Sequence, residues 1–206
     1  MAVPVVTGRH ARLVRVTHAL TTLCFLALVI TGAEIIISHP RFYWGEVGNV
    51  NTPSLFDIPI PASRPWVNTG YGFVMPDQNG WSRSLHFQMA WLLVFTAFIY
   101  GTWGLRTGHF QRIASYYNTA QRRTYLLVIF ALMPFMIWTG LAMSPAIVGT
   151  FPFLVTLLGG HQSARTLHFF TTLALLLFIA GHVVMVIRTG FRSNVRAITV
   201  GGDTQA

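Results

Sequence analysis

The stretch RTLHFFTTLALLLFIAGHVVMVI, residues 165–187, decides the fold because it is long and apolar enough to cross a membrane as a helix. A hydrocarbon core about 30 Å thick needs roughly 20 consecutive apolar residues in a helix. After Arg165 the segment has no Asp, Glu, Lys or Arg, yet it carries His168 and His182. A polar side chain inside a membrane is costly unless it has a partner. These two histidines therefore indicate a function.

The composition indicates that the whole chain, and not only this segment, is a membrane protein. Of 206 residues 53% are hydrophobic and only 9% are charged, whereas soluble domains carry about 25% charged residues. We predict an all-α fold, an integral membrane four-helix bundle in one domain over residues 1–206. The helices are expected at about 13–37, 85–105, 124–143 and 167–187. The first is too long for a cleaved signal peptide and lacks a small-residue cleavage pattern.

The net charge of +9 lies on one side of the predicted helices. Ten arginines and Asp203 fall before helix 1, between helices 2 and 3, and after helix 4, whereas the four arginines on the other side are matched by four acidic residues. Basic loops stay in the cytoplasm, so both termini are predicted to be cytoplasmic and the protein to be a multi-pass protein of the bacterial inner membrane. This distribution favours lipid as a partner and argues against nucleic acid.

Helix 2 and helix 4 share an internal repeat. RSLHF at 83–87 aligns with RTLHF at 165–169, and LRTGHF at 105–110 aligns with IRTGFR at 187–192. Helices 1 and 3 match more faintly, through Thr-Gly pairs at 31–32 and 139–140. The chain is therefore predicted to form two related helical hairpins. The histidines break this symmetry, since His182 aligns with Tyr100 and His18 with Leu126.

Four histidines are predicted to face one another in two pairs. Fourteen residues advance a helix by about 21 Å and return it to within roughly 40° of the same face, so His168 and His182 lie near opposite membrane surfaces. The alternating helix directions place His86 at the level of His168 and His18 at the level of His182. A lone membrane histidine can simply hydrogen-bond a neighbouring helix, but two depth-matched pairs favour ligation.

The chemistry of paired imidazoles favours haem b. Haem iron accepts two axial imidazoles, whereas zinc takes four ligands around one point. The single Cys24 and the absence of a C-x-x-C-H motif exclude covalent attachment of a c-type haem. We therefore predict two non-covalent b haems. Their iron ligands are His18, His86, His168 and His182.

Three arginines each stand three residues before a candidate ligand: Arg15, Arg83 and Arg165. That spacing places each guanidinium one turn nearer the water on roughly the same face, where it suits a haem propionate. They are expected to be cofactor-binding residues, with anchoring in the headgroups as the alternative. Gly32 and Gly140 could let a macrocycle approach. The other histidines, at 10, 39, 109 and 161, are expected in exposed loops or tails.

Several longer motifs resemble a known family: RVTHAL, HPRFYWGEVGN, RSLHF, TGLAMSP and GGHQSARTLHF…GHVVMV. Over nearly its whole length the chain resembles bacterial di-haem cytochrome b membrane subunits, a group that includes those of nickel hydrogenases and formate dehydrogenases. The likeness is greatest to the thiosulfate-reductase type. The resemblance implies the same four axial histidines. It also implies electron transfer between membrane quinone and an attached periplasmic catalytic subunit, often a molybdopterin enzyme.

Two other functions remain open from the sequence. A self-contained membrane oxidoreductase could exchange electrons between quinone and a small oxidant such as superoxide. A haem-free anchor or transporter is disfavoured because transporters carry midplane charges, and only Glu34 comes near the membrane. Glu34 is also a candidate for proton exchange with quinone. The long, proline- and aromatic-rich outer connection at 38–82 is expected either to form an interfacial belt or to cap the outer haem and dock a partner.

Overall fold

The computed structural model describes residues 10–49, 51–59, 79–116 and 119–201. In chain order its helices are α1 (Arg12–Ser38), α2 (Asn79–Arg106), α3 (His109–Tyr116), α4 (Thr119–Leu127), α5 (Met133–Leu141), α6 (Pro145–Val148), α7 (Phe153–Thr156), α8 (His161–Arg188) and α9 (Phe191–Thr199). Four segments are long and apolar enough to cross a membrane: α1, α2, the run from α4 to α5, and α8. The predicted all-α membrane bundle is confirmed.

The third spanning segment contains a wide turn that the sequence did not predict. A π-helical turn, Val128–Leu132, joins α4 to α5. Pro134 follows directly at the start of α5 and has no backbone N–H to donate to the preceding turn. Such turns occur mostly as single insertions within α-helices, so this segment continues through the irregularity instead of ending there.

The helices pack as two hairpins, as the internal repeat predicts. α1 packs closely along α2, and α5 packs along α8, whereas within the described residues α8 approaches α1 and α2 only sparsely. Large apolar side chains on the outer surfaces, such as Leu26, Phe98 and Leu177, are more than half exposed and suit contact with lipid. The two hairpins therefore contact each other much less than the helices within each hairpin do.

The second repeated motif ends each hairpin in the same way. After α2 and after α8 the chain turns through a glycine and enters a short helix, α3 or α9. Gly108 and Gly190 have φ angles of +65° and +112°, a conformation that glycine adopts without steric cost. α9 packs against both α1 and α8, so the end of the chain closes one end of the bundle.

The outer connection forms a small hairpin on the first turns of α8. β1 (Arg41–Phe42) pairs antiparallel with β2 (Phe56–Asp57). The Phe42 ring lies 4.7 Å from that of Phe56 and 4.5 Å from that of Phe169. Phe42 and Tyr43 are 2% and 6% exposed, so these two aromatics are core residues, not part of a lipid-facing belt. Trp66, Pro61, Pro65 and Pro76 of the outer connection lie outside the described residues.

The start of α8 is held by the outer connection. Oε2 of Glu46 accepts the backbone N–H of His161 at 3.0 Å, and the Gly45 carbonyl accepts those of Gln162 and Ser163. The first backbone amides of a helix have no acceptor within the helix. Here a loop that is distant in the sequence supplies the acceptors. This is why α8 begins at His161, earlier than the expected position near 167. His161 is therefore a helix residue and half-buried, not part of an exposed loop.

Candidate metal centres

The structure brings the four candidate histidines together in two pairs. The rings of His86 on α2 and His168 on α8 have centroids 6.4 Å apart and planes at 62°. The rings of His18 on α1 and His182 on α8 also lie 6.4 Å apart, with planes at 46°. These are the pairings that helix direction and depth predict. We call His86–His168 the outer pair and His18–His182 the inner pair, following the predicted orientation.

The ring separation fits a metal ion held between two imidazoles. With metal–nitrogen distances of about 2 Å, the two nitrogens stand about 4 Å apart, and a ring radius of roughly 1 Å on each side brings the centroids to about 6 Å. Within the described residues, no group of three or more His, Cys, Asp or Glu side chains could hold a metal. The donor set therefore suits two axial ligands of a planar macrocycle and does not suit a tetrahedral ion.

Each ring of the outer pair meets a buried threonine hydroxyl from the preceding helix of its own hairpin. Oγ1 of Thr31 lies 2.9 Å from Nδ1 of His86, and Oγ1 of Thr139 lies 2.9 Å from Nδ1 of His168. Both threonines are fully buried. The faint repeat between helices 1 and 3 therefore corresponds to a repeated contact, since each Thr-Gly pair contacts a histidine.

Both threonine hydroxyls also lie within hydrogen-bond distance of a backbone carbonyl of their own helix. Thr31 donates its hydroxyl proton to the Ala27 carbonyl at 2.7 Å, and Thr139 donates to that of Met136 at 3.0 Å. If Nε2 of each ring binds a metal, Nδ1 carries the ring proton, and the threonine oxygen can accept it while the hydroxyl donates its own single proton to the carbonyl.

The glycine after each threonine packs against the same ring. A Cβ at Gly32 would lie 3.6 Å from Cε1 of His86, and one at Gly140 would lie 3.5 Å from Cε1 of His168. The sequence suggested that these glycines admit a macrocycle, whereas the structure places them against the imidazoles. The sequence did not identify the threonines, although their place in the repeat was the available signal.

The inner pair has a different environment. The Tyr125 hydroxyl lies 3.4 Å from Nδ1 of His182, longer than the outer contacts, and the Phe178 ring stacks on His182 at 6.0 Å. His18 is exposed at the surface of α1. The two pairs thus share their ring separation and differ in what holds each ring.

Arg15 lies one turn before His18 and lines a basic cleft. Its Nη1 donates to the Thr199 carbonyl at 3.3 Å, whereas its buried Nε has no partner among the described residues. The cleft, of about 490 Å³, is also lined by His10, Arg12 and Gly201. Burial, and then the charge of Arg15, lower the pKa of His10. The charge of the cleft suits an anionic group.

The other two arginines differ from each other. The Arg165 guanidinium donates to the His39 carbonyl and to Oε1 of Gln162, and lies 4.9 Å over the Phe42 ring. It therefore ties the outer connection to α8. Arg83 is exposed at the start of α2.

A buried carboxyl group lies near the outer pair. Glu34 follows Thr31 by one turn of α1 and is 3% exposed. Its Oε2 has no hydrogen-bond partner within the described part of the chain. A buried carboxylate oxygen without a partner is costly, which makes Glu34 a candidate functional residue.

Residues 9–201 match the family model described as prokaryotic cytochrome b561. The chain belongs to this family. It is also similar to a protein of Azospira oryzae named as a candidate protein-methionine-sulfoxide reductase subunit, YedZ1, with 26% identity over 202 residues, 86% of this chain and 89% of that protein. No solved structure matches the chain at a significant level.

Membership of the prokaryotic cytochrome b561 family gives the paired histidines their context. The protein is a multi-pass membrane cytochrome that binds haem b and transfers electrons across the membrane. The predicted resemblance to cytochrome b membrane subunits is confirmed. The likeness to the thiosulfate-reductase type in particular stays a prediction.

Proposed function

We propose that this cytochrome b561-family protein holds two b haems, the outer one between His86 and His168 and the inner one between His18 and His182. The observation that supports this most is the equal ring separation, 6.4 Å, in two pairs at opposite ends of α8. A chance arrangement of membrane histidines gives no reason for two matched pairs.

The haems, when bound, supply one-electron exchange, and the chain fixes where that exchange takes place. α8 contributes one ligand to each pair, so the two sites are offset by about 21 Å along a single rigid helix. A haem held by two histidines would have no open iron position, which would suit electron transfer better than oxygen chemistry. α1 and α2 contribute the opposite ligands from the other hairpin.

The three arginines are proposed to bind haem propionates. The unpartnered Nε and the basic cleft support this role for Arg15. Arg165 contacts the outer connection and has further N–H groups to donate, since a guanidinium carries five. Arg83 stands exposed at the same level, where a propionate or a headgroup could meet it.

The electron donor or acceptor in the membrane is proposed to be quinone. Oxidation of a quinol releases protons, and a buried carboxylate oxygen is a suitable acceptor for them. The unpartnered Oε2 of Glu34, one turn from the threonine that contacts His86, supports the outer end of α1 as the place of this proton exchange.

The other partner is proposed to be a periplasmic oxidoreductase subunit of the molybdopterin type, as the resemblance implies. The name of the Azospira relative, a reductase subunit, supports an electron conduit over a self-contained oxidoreductase that uses a small oxidant. Trp44 and Val47, which are 58% and 64% exposed beside the start of α8, offer an apolar surface at the outer end. The catalytic partner would dock there, with both termini of this chain in the cytoplasm.

The test is purification of the full chain in mild detergent from its native membrane. The proposal predicts that a catalytic subunit co-purifies and that added quinol reduces both haems within one turnover. Glu34→Gln should slow this reduction while dithionite still reduces both haems fully. If no other chain co-purifies and superoxide oxidises the haems in step with quinol consumption, the self-contained alternative is correct.

A further inference from the structure

Among the described residues, the outer pair has threonine contacts that the inner pair does not share. Nδ1 of each outer ring lies 2.9 Å from the oxygen of a fully buried threonine. In the described residues the nearest equivalent at the inner pair is Tyr125, at 3.4 Å from His182. The histidines of the two pairs therefore have different neighbours at Nδ1.

We propose that Thr31 and Thr139 are positioning residues of the outer haem, which fix the ring state of its ligands and lower its midpoint potential relative to that of the inner haem. This inference rests on the proposed function. It assigns a role to two residues that belong to neither the ligand set nor the arginine set.

Burial alone does not explain these threonines. Thr96 and Thr171 are also buried, at 4% and 5% exposure, and donate to carbonyls of their own helices in the same way. Neither hydroxyl contacts an imidazole among the described contacts. Among the described threonines, only Thr31 and Thr139 have a hydroxyl oxygen within hydrogen-bond distance of a histidine Nδ1, and only these two are followed by a glycine that packs on the same ring.

The contact has two physical consequences. A ligand that donates its second N–H is fixed in tautomer and orientation and becomes more basic, and loss of such a partner typically weakens metal binding about 10–100-fold. A more basic imidazole stabilises the ferric state more than the ferrous state, because it donates more electron density to the more positive iron. Removing the hydroxyl should therefore raise the outer potential.

The experiment replaces each threonine in the full chain with Val, Ser and Ala. Valine keeps the shape and loses the hydroxyl, serine keeps the hydroxyl and loses the methyl group, and alanine loses both. Thr96→Val is the matched control, since it removes a buried hydroxyl ten residues beyond His86 on α2. The readouts are haem content per chain and the midpoint potential of each haem by redox titration.

We expect the midpoint potential of the outer haem to change only in variants that lose the hydroxyl. Val and Ala variants at 31 or 139 should show a raised outer potential, an unchanged inner potential and about 10–100-fold weaker outer haem retention. The Ser variants at 31 or 139, and Thr96→Val, should have the haem content and midpoint potentials of the wild type. If the Val variants do not accumulate, the comparison of Ser with Ala makes the same distinction.

The possible failures are separable. If wild-type protein holds two haems and both potentials are the same in the Ser and Ala variants, the threonines are packing residues and this inference is wrong. If the wild type does not hold two b haems, the proposed function fails before any variant is compared.

Discussion

Oε2 of Glu46 caps α8 from 115 residues away, by accepting the backbone N–H of His161 at 3.0 Å. Nε2 of His161 lies 3.5 Å from the other carboxylate oxygen. A negative group at a helix N-terminus satisfies an unpaired amide and interacts favourably with the helix dipole. The outer connection therefore sets where α8 begins, seven residues before His168.

Glu46→Ala should destabilise the outer end of α8 by about 1 kcal/mol, the usual cost of losing a helix cap. Outer haem should be lost on heating before inner haem, because His168 lies two turns from the cap. Glu46→Gln keeps an acceptor oxygen and should behave nearly like the wild type. Thermal release of each haem, followed by absorbance, measures this, and equal release of both haems from Glu46→Ala would contradict it.

Gly160→Ala should be far more damaging than a typical surface substitution. Gly160 has φ +116°, and a Cβ there would lie 2.5 Å from the Gly45 backbone. Both the strain and the clash would push the outer connection off α8. Gly181→Ala, where a Cβ meets nothing within 4 Å, is the control. The prediction is a sharp loss of folded, haem-containing protein for Gly160→Ala only, and equal yields would contradict it.

Sequence periodicity could predict the level and face of the histidines. Their spacing on α8 and the alternating helix directions required only regular helix geometry, which is why the pairs come together as expected. The contacts of Thr31 and Thr139 depend on how each helix is rotated about its axis, which no local pattern records. The cap on α8 depends on a contact between segments far apart in the sequence. The Pro134 position could have suggested an irregular third helix, though not a π-helical turn.

The two haems should be distinguishable by electron paramagnetic resonance. Imidazole planes cross at 62° in the outer pair and at 46° in the inner pair. Rings nearer to perpendicular make the low-spin ferric signal more anisotropic, because the iron orbitals that they split become closer in energy. The more anisotropic signal should disappear in His86→Ala. Its survival there, with loss in His18→Ala, would reverse the assignment.

Arg165→Gln and Arg83→Gln should lower the outer potential by tens of millivolts. A guanidinium near a propionate favours the reduced, less positive haem, so its loss shifts the potential downward. Such a contact contributes about 1.5–3 kcal/mol gross, and surface water and salt screen much of it. Phe42→Leu is a control for Arg165, since it removes the ring under the guanidinium and keeps the charge. Unchanged potentials in both Gln variants would make these arginines structural anchors.

Haem content after substitution of single histidines tests the central claim most directly. Pyridine haemochrome analysis of the wild type should give two b haems per chain, both released by acid–acetone because nothing is covalent. His18→Ala and His182→Ala should each leave one haem with the outer potential, and His86→Ala and His168→Ala should each leave one with the inner potential. A wild-type value near one, or loss of the same haem from His18→Ala and His86→Ala, would contradict the two-pair arrangement.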